Sequence, residues 1–226
     1  MQRVSDQFNT RSFWLQENLR YLESYFRLEK CARIVNSIAH GVACDLLDVG
    51  CGPASLAGLL EQNIQYYGID IAIHRPAANL VEKDIAQEVI RFGDRTFDIV
   101  VAAGIFEYMG VVQSRKLSEI QRLLRGNGKF VVTYTNFRHI NDRLVDHSIY
   151  NNIQRINDFK AALEKCFRVD HWFPSSHNWY CSEPRRRSLK RLQLPLERRI
   201  PLLSRLFAVN YFFVCSIDSS RIEREE

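Results

Sequence analysis

The sequence predicts an α/β fold in three layers, a single domain across residues 1–226, on three observations. Short apolar runs recur at 46–49, 65–69, 80–83, 97–103 and 130–135, the length of strands buried on both faces. Helical spacing fills two of the gaps, with Leu56, Leu59 and Leu60 after the first run and Leu117, Ile120, Leu123 and Leu124 before the last. Gly50 and Gly52 follow the first run immediately, where a backbone free of side chains turns sharply and approaches a ligand closely.

Taken in order, residues 1–41 form a helical cap. Leu15, Leu19, Leu22 and Phe26 repeat at spacings of three and four among the aromatics Phe8, Phe13, Trp14, Tyr21 and Tyr25, and Gly41 ends the pattern. Such a face packs on a sheet edge. Residues 42–136 are the core. Strand 46–49 carries Asp48 and runs into Gly50-Cys51-Gly52, and Pro53 opens a helix over 53–63 whose end N–H groups point over the turn. The second strand ends in Asp70 and Ile71, about twenty residues on, where an acid accepts hydrogen bonds from both ribose hydroxyls. His74 and Arg75 fall in a polar connection and read as solvent-exposed. The third run leads to Asp84 and Ile85, Asp84 being placed to cap a helix over 85–91. The fourth ends in Ala103-Gly104-Ile105-Phe106-Glu107-Tyr108, at the carboxyl end of a central strand, where open α/β sheets bind their ligands. Glu107 there opens a helix over 111–124, where the dipole favours its charge. Gly126-Asn127-Gly128 ends that helix before strand 130–135.

Asp48-Val-Gly50-Cys51-Gly52-Pro-Ala54, Asp70, Asp84-Ile85 and Gly104…Glu107 in this order resemble the class I S-adenosylmethionine-dependent methyltransferases, over roughly residues 42–136. Ala54 stands where that family has a third glycine. The resemblance implies a Rossmann-like sandwich around a seven-stranded, mostly parallel sheet with an antiparallel last strand. It implies S-adenosyl-L-methionine as cofactor, lying over Gly50, Cys51 and Gly52. Asp70 and Ile71 would then hold the ribose, and Asp84 and Ile85 the adenine. Ala103, Gly104 and Glu107 would border the methionine moiety, and Tyr108 would face the methyl-transfer point, where related sequences often have His. The first turns of the cap would cover the cofactor, with Tyr25 and Arg27 reaching the acceptor or the methionine carboxylate.

Residues 137–226 form the acceptor side in this reading. A helix is expected over 153–165 and strands over 167–173 and 208–217, with an insertion over 174–207 between them. The chain's net charge of +5 is concentrated there: residues 185–205 hold eight Lys or Arg and one acid, Glu197, a local balance of +7 that leaves −2 for the rest. Such a basic, leucine-bearing segment suits a phosphate-bearing acceptor or an anionic membrane surface, and equally a solvated loop. A chain-wide nucleic-acid surface is disfavoured, although the segment could clamp RNA phosphates.

Methyl transfer from a sulfonium is an in-line displacement, in which positioning supplies most of the acceleration. A hydroxyl acceptor also calls for a general base. His139, just past the fifth strand among Arg138, Asn141 and Asp142, is the first candidate, with His147, His171 and His177 behind it and Tyr108 and Tyr134 as positioning groups. Six scattered cysteines without a Cys-x-x-Cys pair speak against a zinc site or a disulfide framework and suit a reducing, cytoplasmic setting. The chain opens without an apolar signal core, and its longest apolar run, 99–106, is far short of the ~18 residues that cross a bilayer. The expected activity is methyl transfer to a hydroxyl or amine of a small molecule bearing phosphate or sugar. RNA methylation and a non-catalytic, cofactor-binding scaffold are the alternatives.

Overall fold

The computed structural model describes residues 11–15, 26–136, 154–177 and 208–218. Seven strands build one sheet: β1 (Cys44–Val49), β2 (Ile64–Asp70), β3 (Leu80–Glu82), β4 (Phe97–Ala103), β5 (Leu124–Thr135), β6 (Phe167–His177) and β7 (Ala208–Ile217), in the order β3-β2-β1-β4-β5-β7-β6. The first five run parallel, and β7 is antiparallel to both of its neighbours, β5 and β6. The expected mixed sheet, with its antiparallel last strand, is therefore present. Among the described residues four helices accompany it: α1 (Arg11–Trp14), α2 (Phe26–Ala39), α3 (Gln113–Leu123) and α4 (Ile156–Leu163).

Alternation along each strand divides the core between the two faces. Leu46, Ile99, Val101, Val131 and Phe212 meet Cys31, Val35 and Ala39 of α2. Their neighbours Leu47, Val100, Phe130 and Phe213 meet Leu117 and Ile120 of α3 and Phe159 and Leu163 of α4. Each such side chain, fully buried, contributes ~1.5–3 kcal/mol of transfer free energy.

The helices next to β1 and β3 differ from expectation. In place of a helix over 53–63 the chain makes successive turns and one short 3-10 turn, Ala57–Leu59. Gly52 and Ala54 both adopt positive φ, +51° and +58°, and left-handed residues on either side of Pro53 prevent a right-handed helix from propagating. The expected apolar contacts survive, with Leu56 fully buried. The 85–91 segment is likewise a single turn, closed by Glu88 N–H donating to the Asp84 carbonyl at 2.8 Å. Downstream, β6 continues through Pro174 to His177, into the segment expected to be insertion. Proline is tolerated there because β6 is the sheet's edge strand, where a missing N–H breaks no ladder bond. Most of that insertion, and residues 137–153, lie outside the described residues.

Charges at the amino-terminal end of the sheet are paired with one another. Arg125 binds Asp45 at 2.7 Å and also Asp98. Lys129 binds Asp170 at 2.8 Å and the Ser216 hydroxyl at 2.6 Å. Burial pushes the Asp170 carboxyl up, but hydrogen bonds from Lys129, Ser216 and Arg168 outweigh it and bring it down to about 2.

Candidate active site

At the opposite end of the sheet, the carboxyl ends of β1, β2 and β4 open into a crevice. Its floor is the turn after β1. Gly50 and Cys51 N–H groups donate to the Ile69 carbonyl at 2.8 and 3.3 Å, which ties the turn to β2. Gly50 has φ +79°, and a Cβ there would lie 2.8 Å from the Ile105 side chain, so both backbone and neighbour demand glycine. Cys51 is buried beneath, between the two glycines.

Three carboxylates line the crevice. Asp48 is buried, accepts from the Tyr66 hydroxyl at 2.9 Å, and is pushed up to about 7 by that burial, which outweighs the Tyr66 bond. Asp70, also buried, takes the Gly52 N–H at 2.8 Å and the Ala72 N–H at 3.1 Å on its two oxygens. Burial raises its carboxyl too, against the pull of those backbone N–H groups. Asp84 Oδ1 accepts from the Ala86 and Gln87 N–H groups at 3.0 and 3.2 Å, the expected cap on a single turn, and Ile85 packs beside it. Each carboxylate retains lone pairs beyond these bonds.

Across the crevice, Gly104 (φ +75°) carries the Arg27 guanidinium directly against its Cα: an added Cβ would fall 1.6 Å from Arg27 Nη1. Arg27 is thus the cation of the site, delivered by the first turn of α2. α1 closes the mouth. Trp14 packs edge-on against Tyr108 with ring centroids 5.1 Å apart, and its carbonyl lies 3.0 Å from His74 Nε2, whose proton it accepts. Arg11 pairs with Glu82 at 2.5 Å.

Residues 47–132, which contain this crevice and the strands that frame it, match the family model described as a methyltransferase domain. Over that segment the chain is similar to methyltransferase domains. Its fold is shared with a putative methyltransferase of Haloferax volcanii solved in complex with the Trm112 methyltransferase activator, at TM-score 0.65 and 16% identity over 95% of this chain and 97% of that one. N-methyltransferase NodS from Bradyrhizobium japonicum, solved with S-adenosyl-L-homocysteine, is similar at TM-score 0.59 and 10% identity over 96% and 100%. A TehB-like S-adenosylmethionine-dependent methyltransferase of Corynebacterium glutamicum is similar at TM-score 0.55 and 17% identity over 95% and 98%. In sequence, an uncharacterized protein of Methanocaldococcus jannaschii is 29% identical over 128 residues, 55% of this chain and 53% of that protein. The chain thus spans about half the length of that curated relative.

Within the matched segment, Asp48, Gly50, Cys51, Gly52, Asp70, Ile71, Asp84, Ile85, Ala103, Gly104 and Tyr108 converge on the one crevice. Two expected site residues do not. Glu107 is buried off the crevice, its Oε1 taking the Thr135 N–H at 2.8 Å and hydroxyl at 2.7 Å. Tyr134 is buried on the α3–α4 face, stacked on Phe159 at 4.0 Å, with its hydroxyl accepting the Gln154 N–H at 3.0 Å. Strand alternation explains this: Tyr134 belongs with Phe130 and Val132, not with Thr133 and Thr135. His139 and His147 lie outside the described residues, as does the basic segment 185–205. His171 is exposed on β6, at the far edge of the sheet. His74, expected in solvent, is instead half-buried in the crevice wall beneath Trp14. Trp14 is a further crevice residue that no motif marks, since it arrives by folding from a separate helix.

Proposed function

We propose that the protein is an S-adenosylmethionine-dependent methyltransferase acting on a small molecule, with the cofactor seated in this crevice. The observation that carries the reading is the crevice's charge. Asp48, Asp70 and Asp84 share the crevice with Arg27, the one Lys or Arg among its described lining residues, and the turn after Gly52 does not open into a helix whose dipole would attract phosphate. That surround suits a nucleoside without phosphates that carries a positive sulfonium, and it repels the diphosphate of a dinucleotide.

In this arrangement Asp70 accepts from the ribose hydroxyls with the lone pairs that Gly52 and Ala72 leave over. Asp84 and Ile85 receive the adenine. Gly50 and Gly104 let the amino-acid end approach the backbone, and the Arg27 guanidinium meets its carboxylate. α1 covers the bound nucleoside through Trp14 and excludes water from the displacement. Tyr108, stacked edge-on against Trp14, stands at the transfer point as a positioning group.

The acceptor is a hydroxyl or amine. The segment 185–205 is the proposed contact for its phosphate or for an anionic membrane surface. Incubating the protein with labelled methyl donor and extract separated into small-molecule, lipid, RNA and protein fractions tests this. Label is expected in the small-molecule fraction; label in RNA alone, or none with any fraction, would refute the reading.

A further inference from the structure

The last row of the sheet on the α2 face is wholly polar, whereas the row beneath it is apolar but for Thr133. Thr135, Asn210 and Ser175 stand in register across β5, β7 and β6, and all three are buried. One row down lie Thr133, Phe212 and Phe173. Glu107, carried on the short turn Phe106–Tyr108, is fastened to the end of the polar row by the two bonds from Thr135 to its Oε1. Its other oxygen, Oε2, is shielded from solvent and has no hydrogen-bond partner among the described residues. The buried Thr133 hydroxyl has none either.

Thr133 stands one row from the threonine that holds Glu107. Thr133 and Thr135 project to the same face because side chains alternate along a strand. Thr133 is also the register partner of Ala103, which lines the crevice beside Gly104. Glu107 itself sits on the turn between Ile105 and Tyr108, which line the crevice, so its carboxylate lies directly behind the crevice wall.

A carboxylate only accepts hydrogen bonds, and leaving half of one buried without a donor is unfavourable. The absent partner brings hydrogens, and beside a fixed negative charge a nitrogen bearing or gaining positive charge is favoured over a neutral hydroxyl. We infer that Glu107 Oε2, with Thr133 Oγ1, receives the acceptor's amino group, so that the reaction is methylation of an amine. The inference rests on the crevice being the cofactor site. The lone pair of the neutral amine forms the N–C bond while the methyl C–S bond breaks, sulfur departs as a neutral thioether, and the nitrogen emerges methylated and protonated. Positive charge thus passes from sulfur to a nitrogen held against the Glu107 carboxylate, which stabilises it as it develops. The proton is given up to water as product leaves.

The test uses the full chain, deuterium-labelled methyl donor and a small-molecule extract, with products sorted by mass spectrometry into N-methyl amines, ethers and esters. Label is expected in N-methyl amines. Glu107→Gln keeps an oxygen for both Thr135 bonds but places a donor where Oε2 stood, and transfer should fall about 100-fold, as when a charge-stabilising group is removed from a transition state. Thr133→Val, which preserves volume, should cost about tenfold, the loss of one hydrogen bond. In both variants cofactor affinity measured by calorimetry stays within about twofold of wild type, which a merely misfolded variant would not show. Label confined to ethers or esters, no labelled amine at all, or wild-type transfer by both variants would overturn the assignment. Failure of the wild-type chain to bind cofactor would overturn instead the reading on which the inference stands.

Discussion

At the amino-terminal end of the sheet Arg125 reaches Asp45 and Asp98, and Lys129 reaches Asp170 and Ser216, so that each carboxylate meets a cation of the same chain. At the carboxyl end Asp48 and Asp70 are buried with one hydroxyl and two backbone N–H groups for partners, and neither has a cation paired to it among the described residues. The amino-terminal set is at least partly in water, and holds strands together for small gains. The carboxyl-terminal set is desolvated and carries hydrogen-bonding capacity that the fold leaves unused. Desolvation without a paired charge does not stabilise a fold. It marks the end of the sheet where a ligand completes the bonding.

Substitutions at the two ends should therefore separate cleanly, and the largest effect belongs to Gly104→Ala. The added methyl overlaps Arg27 and must sit at φ +75°. Displacing the guanidinium and straining the backbone, of order 1–3 kcal/mol, should reduce cofactor affinity by up to about 150-fold by calorimetry. Asp70→Ala should weaken the cofactor by about 100-fold, the ~1.5–3 kcal/mol of a hydrogen bond to a charged group. Unchanged binding in either variant would mean that the crevice ends are wrongly matched to the ligand.

Asp48→Asn sharpens the contrast because stability and function should move in opposite directions. Burial raises the Asp48 carboxyl to about 7, so the folded chain binds more protons than the unfolded chain, and stability declines as pH rises from about 4 to about 7. The amide removes that penalty. Thermal unfolding at pH 8 should shift upward in the variant and lose part of its pH dependence between 4 and 7. Cofactor affinity should fall about tenfold at pH 8, since the ionised carboxylate favours a cationic ligand by about one hydrogen bond's worth. In the wild-type chain the affinity should weaken as pH drops below about 7. At the other end, Arg125→Gln should leave cofactor affinity unchanged and lower stability by no more than about 1 kcal/mol, as for exposed ion pairs. A loss of cofactor binding there would erase the distinction between the two ends.

All seven strands were legible in the sequence, the central ones because strands buried on both faces read as continuous apolar runs and the edge strand β6 by its alternation. The crevice floor was legible because Gly50, Gly52 and Asp70 sit within one strand-turn-strand unit. The helix expected over 53–63 failed on backbone geometry: Leu56, Leu59 and Leu60 do pack inward, but the left-handed turn at Ala54 leaves no trace in composition. Glu107 and Tyr134 were placed by their nearness in sequence to the transfer point. Strand alternation turned Tyr134 to the other face, and Thr135 holds one Glu107 oxygen behind the crevice wall. Trp14 and His74 reach the site through a contact between residues sixty positions apart, which local spacing does not encode.

The most direct test is a crystal structure of the protein with S-adenosylhomocysteine. Its adenosine should span Gly50 to Gly52, with both ribose hydroxyls on Asp70 and the amino-acid carboxylate on Arg27. A crevice that stays closed by Trp14 with the compound bound elsewhere, or a nucleoside reversed so that Asp70 meets the amino-acid end, would contradict the account.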